Sequence, residues 1–373
     1  MKRRLIALLL GISIVLALSA CGGNTTSQTD TTTPSSTAAA AETTATGSGS
    51  GELPILGAGI YSASDNFNSY IGKGITNTAK GIFQTNIEDG QNDQSTQNNQ
   101  IDTMLAKGAK VIALSVVDVT AAPTIIDKAK EAGNIPVIFF NKEITDQSVM
   151  QSYDKAYFVG STGVDYGAAI QGQMVVDAWK KNPALDKNKD GKIQMVYLMG
   201  DPGHTAAKPR ADYVKKAIKD AGIDYEVLAE DTGMWVTATA KDKMDAWVSK
   251  YGNEIEFIIA ANDAMALGAL TSIEAAGFNT NGADSDKYIP VIGIDALPEM
   301  LDKIKSGEVI GSVLQDARTQ GEVIVKMAQN LAAGKDPVDG LEYKLDEAKA
   351  VRIPYKAITV DNIKEAEDTY SAN

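Results

Sequence analysis

From residue 52 onward, the chain alternates short, continuous apolar runs with longer amphipathic stretches. The apolar runs are rich in Val and Ile, as parallel strands buried on both faces tend to be. The predicted strands are residues 53–60, 111–117, 135–140, 193–198, 255–260, 289–294 and 309–314, and the predicted helices are 124–132, 163–181, 211–221, 240–251, 264–276 and 318–333. This alternation predicts an α/β fold with two parallel sheets flanked by helices.

Polar side chains follow six of the predicted strands, at the edge where open α/β sheets bind ligands. They are Asp65, Asn141, His204, Asn262, Asp295 and Gln315. Asn and Asp also favour helix N-cap positions, so capping is a competing explanation for each of them. Capping does not explain His204, Gln315 or the nearby Arg210. Amide and carboxylate groups with almost no Lys indicate a neutral, hydroxyl-rich ligand rather than a phosphate.

A local motif points to a calcium ion. The segment 186–194 matches an EF-hand-type loop through its ninth position, with Gly191 at the sharp turn. The ligands predicted from this segment are Asp186, Asn188, Asp190, the Lys192 carbonyl and Gln194. Position twelve is Tyr197 instead of the bidentate glutamate. The site is therefore incomplete, or a carboxylate arrives from elsewhere; a solvated polar turn is the competing explanation.

Residues 1–51 have the composition of an export signal and a tether. Basic residues 2–4 precede an apolar stretch that is short for a membrane span and ends at Ala20. Cys21 is the only cysteine of the chain, and residues 18–21 resemble a bacterial lipobox. We predict a lipoprotein signal peptide over 1–20, lipidation of Cys21, and a flexible Ser/Thr/Gly linker over 21–51. An ordinary signal followed by a chance cysteine is the alternative.

Composition removes several function classes. The chain carries 35 Lys and Arg against 48 Asp and Glu, a formal net charge of -13, which disfavours nucleic acid and anionic membrane surfaces as partners. One Cys and one His exclude a disulfide framework and His-paired metal sites. Motifs for phosphate loops and nucleophile elbows are absent from the sequence, and the G-x-G at 57–59 lacks its third Gly. We expect a binding protein and no enzyme, with a glycosidase that uses two carboxylates as the alternative.

Several long stretches, taken in order, resemble the galactose/glucose-binding proteins of bacterial ABC importers over nearly all of residues 52–373. The matching stretches include residues 64–67, 91–95, 135–143, 152–160, 202–204, 234–235, 240–247, 262–266 and 295–299. The resemblance implies a type I periplasmic-binding-protein fold, with two α/β lobes, three crossovers and a hinged cleft. It places the N-terminal lobe at 52–161 plus 315–351 and the C-terminal lobe at 162–314 plus 352–373.

The resemblance also implies the ligands. Sugar ligands fall on Asp65, Asn141, His204, Arg210, Asn262, Asp295 and Gln315, and the stacking aromatics on Phe67 and Trp235. Glu256 takes the place of the family's distant calcium carboxylate, so the implied Ca²⁺ is structural. The chain departs from the family at Ala206, where an Asp is usual. That change suggests weaker binding or tolerance of a substituted anomeric position.

The implied partners are glucose or galactose and an ABC permease, with a membrane sensor or chemoreceptor as a further partner. We expect a monomer that is lipid-anchored on the outer face of the cell membrane. A receptor for a different small sugar is the nearest alternative function.

Overall fold

A computed structural model describes residues 52–283 and 285–370. The predicted signal peptide, Cys21 and the linker lie outside these residues. The strands are β1 Leu56–Ile60, β2 Ile87–Asp89, β3 Val111–Leu114, β4 Val137–Phe140, β5 Ala156–Ser161, β6 Lys192–Met199, β7 Asp224–Thr232, β8 Phe257–Ala260, β9 Val291–Asp295, β10 Gly311–Leu314, β11 Ala350–Ile353 and β12 Lys356–Ile358. The helices are α1 Asn66–Thr78, α2 Gln94–Ala106, α3 Ala122–Glu131, α4 Gln147–Gln151, α5 Val164–Lys181, α6 Ala207–Asp220, α7 Thr237–Tyr251, α8 Asp263–Ala275, α9 Pro298–Lys305, α10 Ala317–Ala332 and α11 Ile363–Tyr370.

The strands form two six-stranded sheets, one in each lobe. The first has the order β11-β5-β4-β3-β1-β2 and the second the order β12-β10-β9-β8-β6-β7. Neighbouring strands are parallel except β10 and β12, which are antiparallel. The central strands are buried along their whole length, as continuous apolar sequence requires when helices cover both faces of a sheet. The predicted two-lobe α/β architecture is confirmed.

The strands that hydrophobic pattern did not predict lie almost entirely at sheet edges. β2, β7, β11 and β12 are the four edge strands, and β5 is the exception, next to β11. An edge strand is less covered, so its sequence is less apolar. β7 shows this best, because its residues Asp224–Thr232 are half-buried or exposed throughout. The hydrophobic pattern also failed to predict α1 and α2, because these helices are rich in Asn and Gln.

The chain passes between the sheets three times: after β5, after β10 and after β11. The predicted boundary at 351/352 is wrong, because it falls inside β11. Arg352 and Ile353 pair with Gly160 and Ser161 of β5 in the first sheet. Arg352 also donates to Glu143 of the same lobe, with Nη1 2.9 Å from Oε2. The third crossover therefore begins at Pro354.

Helices of the described segments pack on both faces of each sheet. α1 lies against α10 in the first lobe, and α5 lies against α6 in the second. None of the helices in residues 52–283 and 285–370 is long and apolar enough to cross a membrane. The carboxyl edges of the two sheets carry the polar residues predicted from the sequence, and these edges define the site.

Candidate ligand site between the lobes

One cavity of about 200 Å³ brings together every predicted sugar ligand. Its lining includes Asp65, Phe67, Asn141, His204, Arg210, Trp235, Asn262, Asp295 and Gln315. Asp65, Phe67 and Asn141 belong to the first lobe, and Gln315 lies on the second crossover. The others come from the second lobe. A molecule in this cavity would therefore contact both sheets and a connection between them.

Two of these residues cap helices and line the cavity at the same time. Asp65 Oδ1 accepts from Asn68 N at 3.0 Å and caps α1, and Asn262 Oδ1 accepts from Met265 N at 2.9 Å and caps α8. The second polar atom of each side chain is held as well. Tyr61 donates its hydroxyl to Asp65 Oδ2, and Asn262 Nδ2 donates to Trp235 O. Capping and cavity lining are thus compatible roles here.

His204 links the two lobes. Its Nδ1 accepts from Ala206 N at 3.0 Å, which assigns the ring proton to Nε2. Nε2 lies 3.3 Å from Asn141 Oδ1 in the first lobe and donates to it. Burial, together with Lys142 and Arg210, holds the pKa of His204 well below its usual range. His204 is therefore a neutral donor, and the contact with Asn141 spans the cleft.

Arg210 is the buried cation of the site, with 6% of its surface exposed. Nη1 donates to Ala261 O at 2.6 Å, and Nη2 donates to Gln315 Oε1 at 2.7 Å. Its Nε has no partner within the described residues. The guanidinium is thus oriented by protein contacts and keeps one donor free.

Asp295 supplies a buried carboxyl group to the site, with 2% of its surface exposed. Its Oδ2 has no partner within the described residues, and burial raises the pKa of its carboxyl well above the usual range, against the opposing effect of Arg210. The backbone there is unusual, with φ of 127° at Asp295 and 52° at Ala296. Asp263 accepts from Leu297 N at 2.9 Å and from Ser312 Oγ at 2.7 Å, and Ser312 Oγ accepts from Ala296 N. Asp263 therefore holds the turn that presents Asp295.

Trp235 lies flat against a glycine at the end of β6. A Cβ on Gly200 would come within 2.0 Å of the indole, so only Gly fits there. Trp235 has φ of 64°, a left-handed conformation that places its ring 5.1 Å from His204 between centroids. The indole Nε1 is buried without a partner in the described part of the chain. The ring can thus offer both an apolar face and a donor.

The cavity also has lining residues that the sequence did not single out. Among them are Glu143, Thr205, Pro209 and Tyr355. Tyr355 follows Pro354 on the third crossover, far along the chain from the other lining residues, and no local motif marks it. Ala206, the expected departure from the family, lines the cavity with 4% of its surface exposed. Ala206 therefore lies where it would contact a ligand in the cavity.

Side chains of the predicted calcium loop accept hydrogen bonds from the backbone of the same loop. Asp186 Oδ2 accepts from Gly191 N at 3.0 Å, Asn188 Oδ1 accepts from Asp190 N at 2.9 Å, and Asp190 Oδ1 accepts from Lys192 N at 2.8 Å. Gly191 has φ of 75°, as the turn position requires. The side-chain oxygens of positions one, three and five therefore all face the backbone of the loop.

Glu256, remote in sequence, lies against the same loop. It is 1% exposed, and its two oxygens accept from Lys187 N at 2.7 Å and Gln194 N at 3.0 Å. Gln194 Oε1 is buried with no partner in the described residues. No group of three or more His, Cys, Asp or Glu side chains gathers as a metal site in residues 52–283 and 285–370. A cation here would need amide and carbonyl oxygens too, which Ca²⁺ accepts. The residues present fit that ion.

Comparison with known proteins places this two-lobe fold. The periplasmic binding protein domain matches residues 58–336. The chain belongs to the periplasmic binding protein family. One curated member, the D-galactose/methyl-galactoside binding periplasmic protein of Haemophilus influenzae, is 47% identical over 311 residues, which cover 83% of this chain and 90% of that protein. A putative rhizopine-binding protein of Rhizobium meliloti is 30% identical over 313 residues, covering 83% of this chain and 91% of that protein.

Solved structures of periplasmic binding proteins share the fold. An ABC transporter solute-binding protein from Bacillus halodurans with bound myo-inositol superposes with a TM-score of 0.69 at 27% identity, covering 86% of this chain and all of that one. Membership of the family implies a place outside the cytoplasm and a partnership with an ABC transporter. The relatives named here are binding proteins, in line with the expectation of binding without catalysis.

Proposed function

We propose that this periplasmic binding protein binds D-galactose or D-glucose in the interlobe cavity and delivers the sugar to an ABC permease. One observation carries the proposal. The predicted sugar ligands from two lobes and a crossover converge on one small cavity, where Arg210 Nε, Trp235 Nε1 and Asp295 Oδ2 are buried without partners among residues 52–283 and 285–370. Such groups raise the free energy of the unliganded protein unless a ligand pairs with them.

The chemistry of a hexose matches these groups. Its hydroxyls can donate to Asp295 Oδ2 and accept from Arg210 Nε, and hydrogen bonds to charged groups are the stronger ones in a dry site. The C–H faces of a pyranose are apolar, so they pack against the Phe67 and Trp235 rings. Because ligands lie on both lobes, binding favours the closed arrangement, which is the form that a permease would recognise.

Calorimetry and Trp fluorescence test the proposal. We expect saturable binding of D-galactose or D-glucose with a fluorescence change that the Trp235→Phe variant loses. Trp179→Phe is the matched control, since Trp179 packs against Phe257 away from the cavity. Absence of any heat or fluorescence response to either hexose at millimolar concentration would contradict the proposal.

The anomeric position is a second part of the proposal. Ala206 removes a carboxylate that the family places at the cavity, and the Haemophilus influenzae relative is named for methyl-galactoside as well as galactose. We expect methyl β-galactoside to bind within a factor of about ten of galactose, roughly the effect of one polar contact. A much larger loss for the methylated sugar would contradict tolerance at this position.

We also propose a lipid anchor at Cys21 and a structural Ca²⁺ held by the 186–194 loop. The lipobox-like residues and the lone cysteine support the anchor. Mutation Cys21→Ser should release the mature protein from the membrane fraction of cells, and an unchanged membrane fraction would contradict the anchor. For the ion, Asp186, Asn188, Asp190, the Lys192 carbonyl, Gln194 and Glu256 would supply the oxygens. The ion would bind carboxylate, amide and carbonyl oxygens together and fasten the loop to Glu256, immediately before β8.

A further inference from the structure

The position of Arg210 in the cavity depends on the connections between the lobes. Its Nη2 contacts Gln315 Oε1 at 2.7 Å and lies 3.5 Å from the Tyr355 hydroxyl. Gln315 directly follows β10, and Tyr355 lies between β11 and β12. Both residues therefore sit on crossovers, the segments whose backbone angles change when a hinge closes.

Tyr355 is held rigidly from its other side. The residue is 5% exposed, and its ring packs on Gly167 of α5, where an added Cβ would lie 2.9 Å from ring atoms. The ring is therefore fixed to the second lobe, while its backbone belongs to the crossover from the first. The hydroxyl therefore faces Arg210 of α6 within the same lobe, where α6 packs against α5.

We propose that Tyr355 is a positioning residue that holds the guanidinium of Arg210 in place from the third crossover. Gln315 Oε1 and the Tyr355 hydroxyl face the same nitrogen of Arg210 and leave Nε, which has no partner among the described residues, for a ligand. The Tyr355 hydroxyl thereby restricts the orientation in which Nε is offered to a sugar hydroxyl. The inference rests on the proposed sugar binding, whose failure shows separately.

The first measurement uses Tyr355→Phe, which keeps the ring on Gly167 and removes only the hydroxyl. We expect the dissociation constant for the sugar to rise about 10-fold, the effect of one hydrogen bond to a charged group, mainly through faster dissociation. The matched control is Tyr288→Phe, a buried tyrosine of the same lobe with 6% exposure that lies outside the cavity. The two variants should melt within about 2 °C of each other without sugar, because each change removes one hydroxyl and leaves the buried ring in place.

A double-mutant cycle distinguishes a positioning role from a merely structural one, because it measures whether the effects of two variants on sugar affinity depend on each other. Gln315→Met removes the other group on Arg210 Nη2 with little change in volume. If both residues act through Arg210, the double variant loses clearly more or less affinity than the product of the two single losses. Three results would each overturn the inference. The affinity losses of the two single variants could multiply in the double variant, or Tyr355→Phe could leave the affinity unchanged. The third result is an affinity loss in Tyr355→Phe that comes with a lower melting temperature. A wild-type protein that binds no hexose would instead overturn the proposed function.

Discussion

The cleft and the 186–194 loop both contain carboxylates, but these carboxylates find their hydrogen-bond partners in different ways. In the loop, Asp186, Asp190 and Glu256 accept from backbone N–H groups of the loop itself. In the cleft, Asp295 Oδ2 and Arg210 Nε have no partner within the described residues. The loop is therefore close to complete without a ligand, whereas the cleft is built around groups that only a ligand completes.

The difference shows how function is distributed in this fold. The loop belongs to one lobe and fastens the start of β6 to Glu256, immediately before β8. The cleft draws on both lobes and two crossovers, so its geometry changes with closure. Unpaired polar groups are costly when buried, and they are expected where binding must be specific. We therefore expect the cleft to govern affinity and the loop to govern stability, with little exchange between the two.

The largest expected effect comes from removing the charge of Asp295. Asp295→Asn keeps the shape and tolerates the positive φ of this position better than Ala would. We expect the sugar affinity to fall about 100-fold, because bonds to a charged acceptor contribute about 1.5–3 kcal/mol. The melting temperature of the unliganded protein should stay equal or rise, since the variant removes a buried carboxyl group that lacks a full set of partners.

Calorimetry and a thermal melt together check this outcome. Asp302→Asn is the matched control, because Asp302 is exposed on α9, forms a surface ion pair with Lys305 and does not line the cavity. An affinity within threefold of wild type for Asp295→Asn would contradict the place of Asp295 in the site.

The cavity residues were predictable because parallel strands deliver their carboxyl ends to one edge. Asp65, Asn141, His204, Asn262 and Asp295 all follow strands that continuous apolar sequence marks. The contacts that set the backbone geometry at this edge could not be predicted from the sequence. The positive φ values at Asp295 and Ala296 occur at residues other than glycine, so the sequence does not indicate them. They depend on contacts between Asp263, Ser312 and Leu297.

Long-range partners account for the other omissions. Spacing within the loop showed that a carboxylate was missing, but only family resemblance suggested Glu256, which is remote in sequence. Tyr355 reaches Arg210 through a crossover whose boundary the sequence put two residues too early. Edge strands such as β7 carry too few apolar residues to be seen by pattern. Local periodicity therefore finds buried strands and their ends, whereas contacts between distant segments need the folded structure.

The loop should affect stability rather than affinity. We expect chelation to lower the melting temperature by about 5 °C or more, because ligand binding at a hundredfold excess over its dissociation constant stabilises by about 2.7 kcal/mol. Added Ca²⁺ should restore the melt, and Glu256→Gln should remove the response. The matched control is Glu254→Gln, an exposed neighbour. Sugar affinity should change less than twofold, and a melt that chelation leaves unchanged would contradict the ion.

The response to pH separates affinity from stability within the cleft itself. Burial raises the pKa of Asp263 to about 7 and holds that of Asp295 well above its usual range. Below such a raised pKa the folded protein holds a proton that the unfolded chain has lost, so this contribution to stability is lost as pH rises through about 7. A bound sugar donates hydroxyls to the carboxylate and favours its charged form. Affinity should therefore rise with pH as Asp295 loses its proton.

We expect the two quantities to move in opposite directions as pH rises towards about 7, where Asp263 loses its proton. Affinity should rise up to about tenfold per proton and pH unit, while the melting temperature of the unliganded protein decreases. His204 does not oppose the trend in affinity there, since its pKa lies well below this range. Calorimetry in two buffers of different ionisation enthalpy measures the proton released on binding. Asp295→Asn should reduce that release, and a release unchanged in this variant would contradict the assignment.

The smallest expected effect concerns Ala206, which lines the cavity and is 4% exposed. Ala206→Asp restores the carboxylate usual in the family, so the affinity for galactose should increase about 5- to 10-fold through one charge-assisted hydrogen bond. Methyl β-galactoside lacks the anomeric donor and should gain nothing. Ala206→Asn, which has the same shape without the charge, is the control for packing. Equal gains for both sugars in Ala206→Asp would mean that the residue does not face the anomeric position, and the tolerance proposed for this cleft would then need another cause.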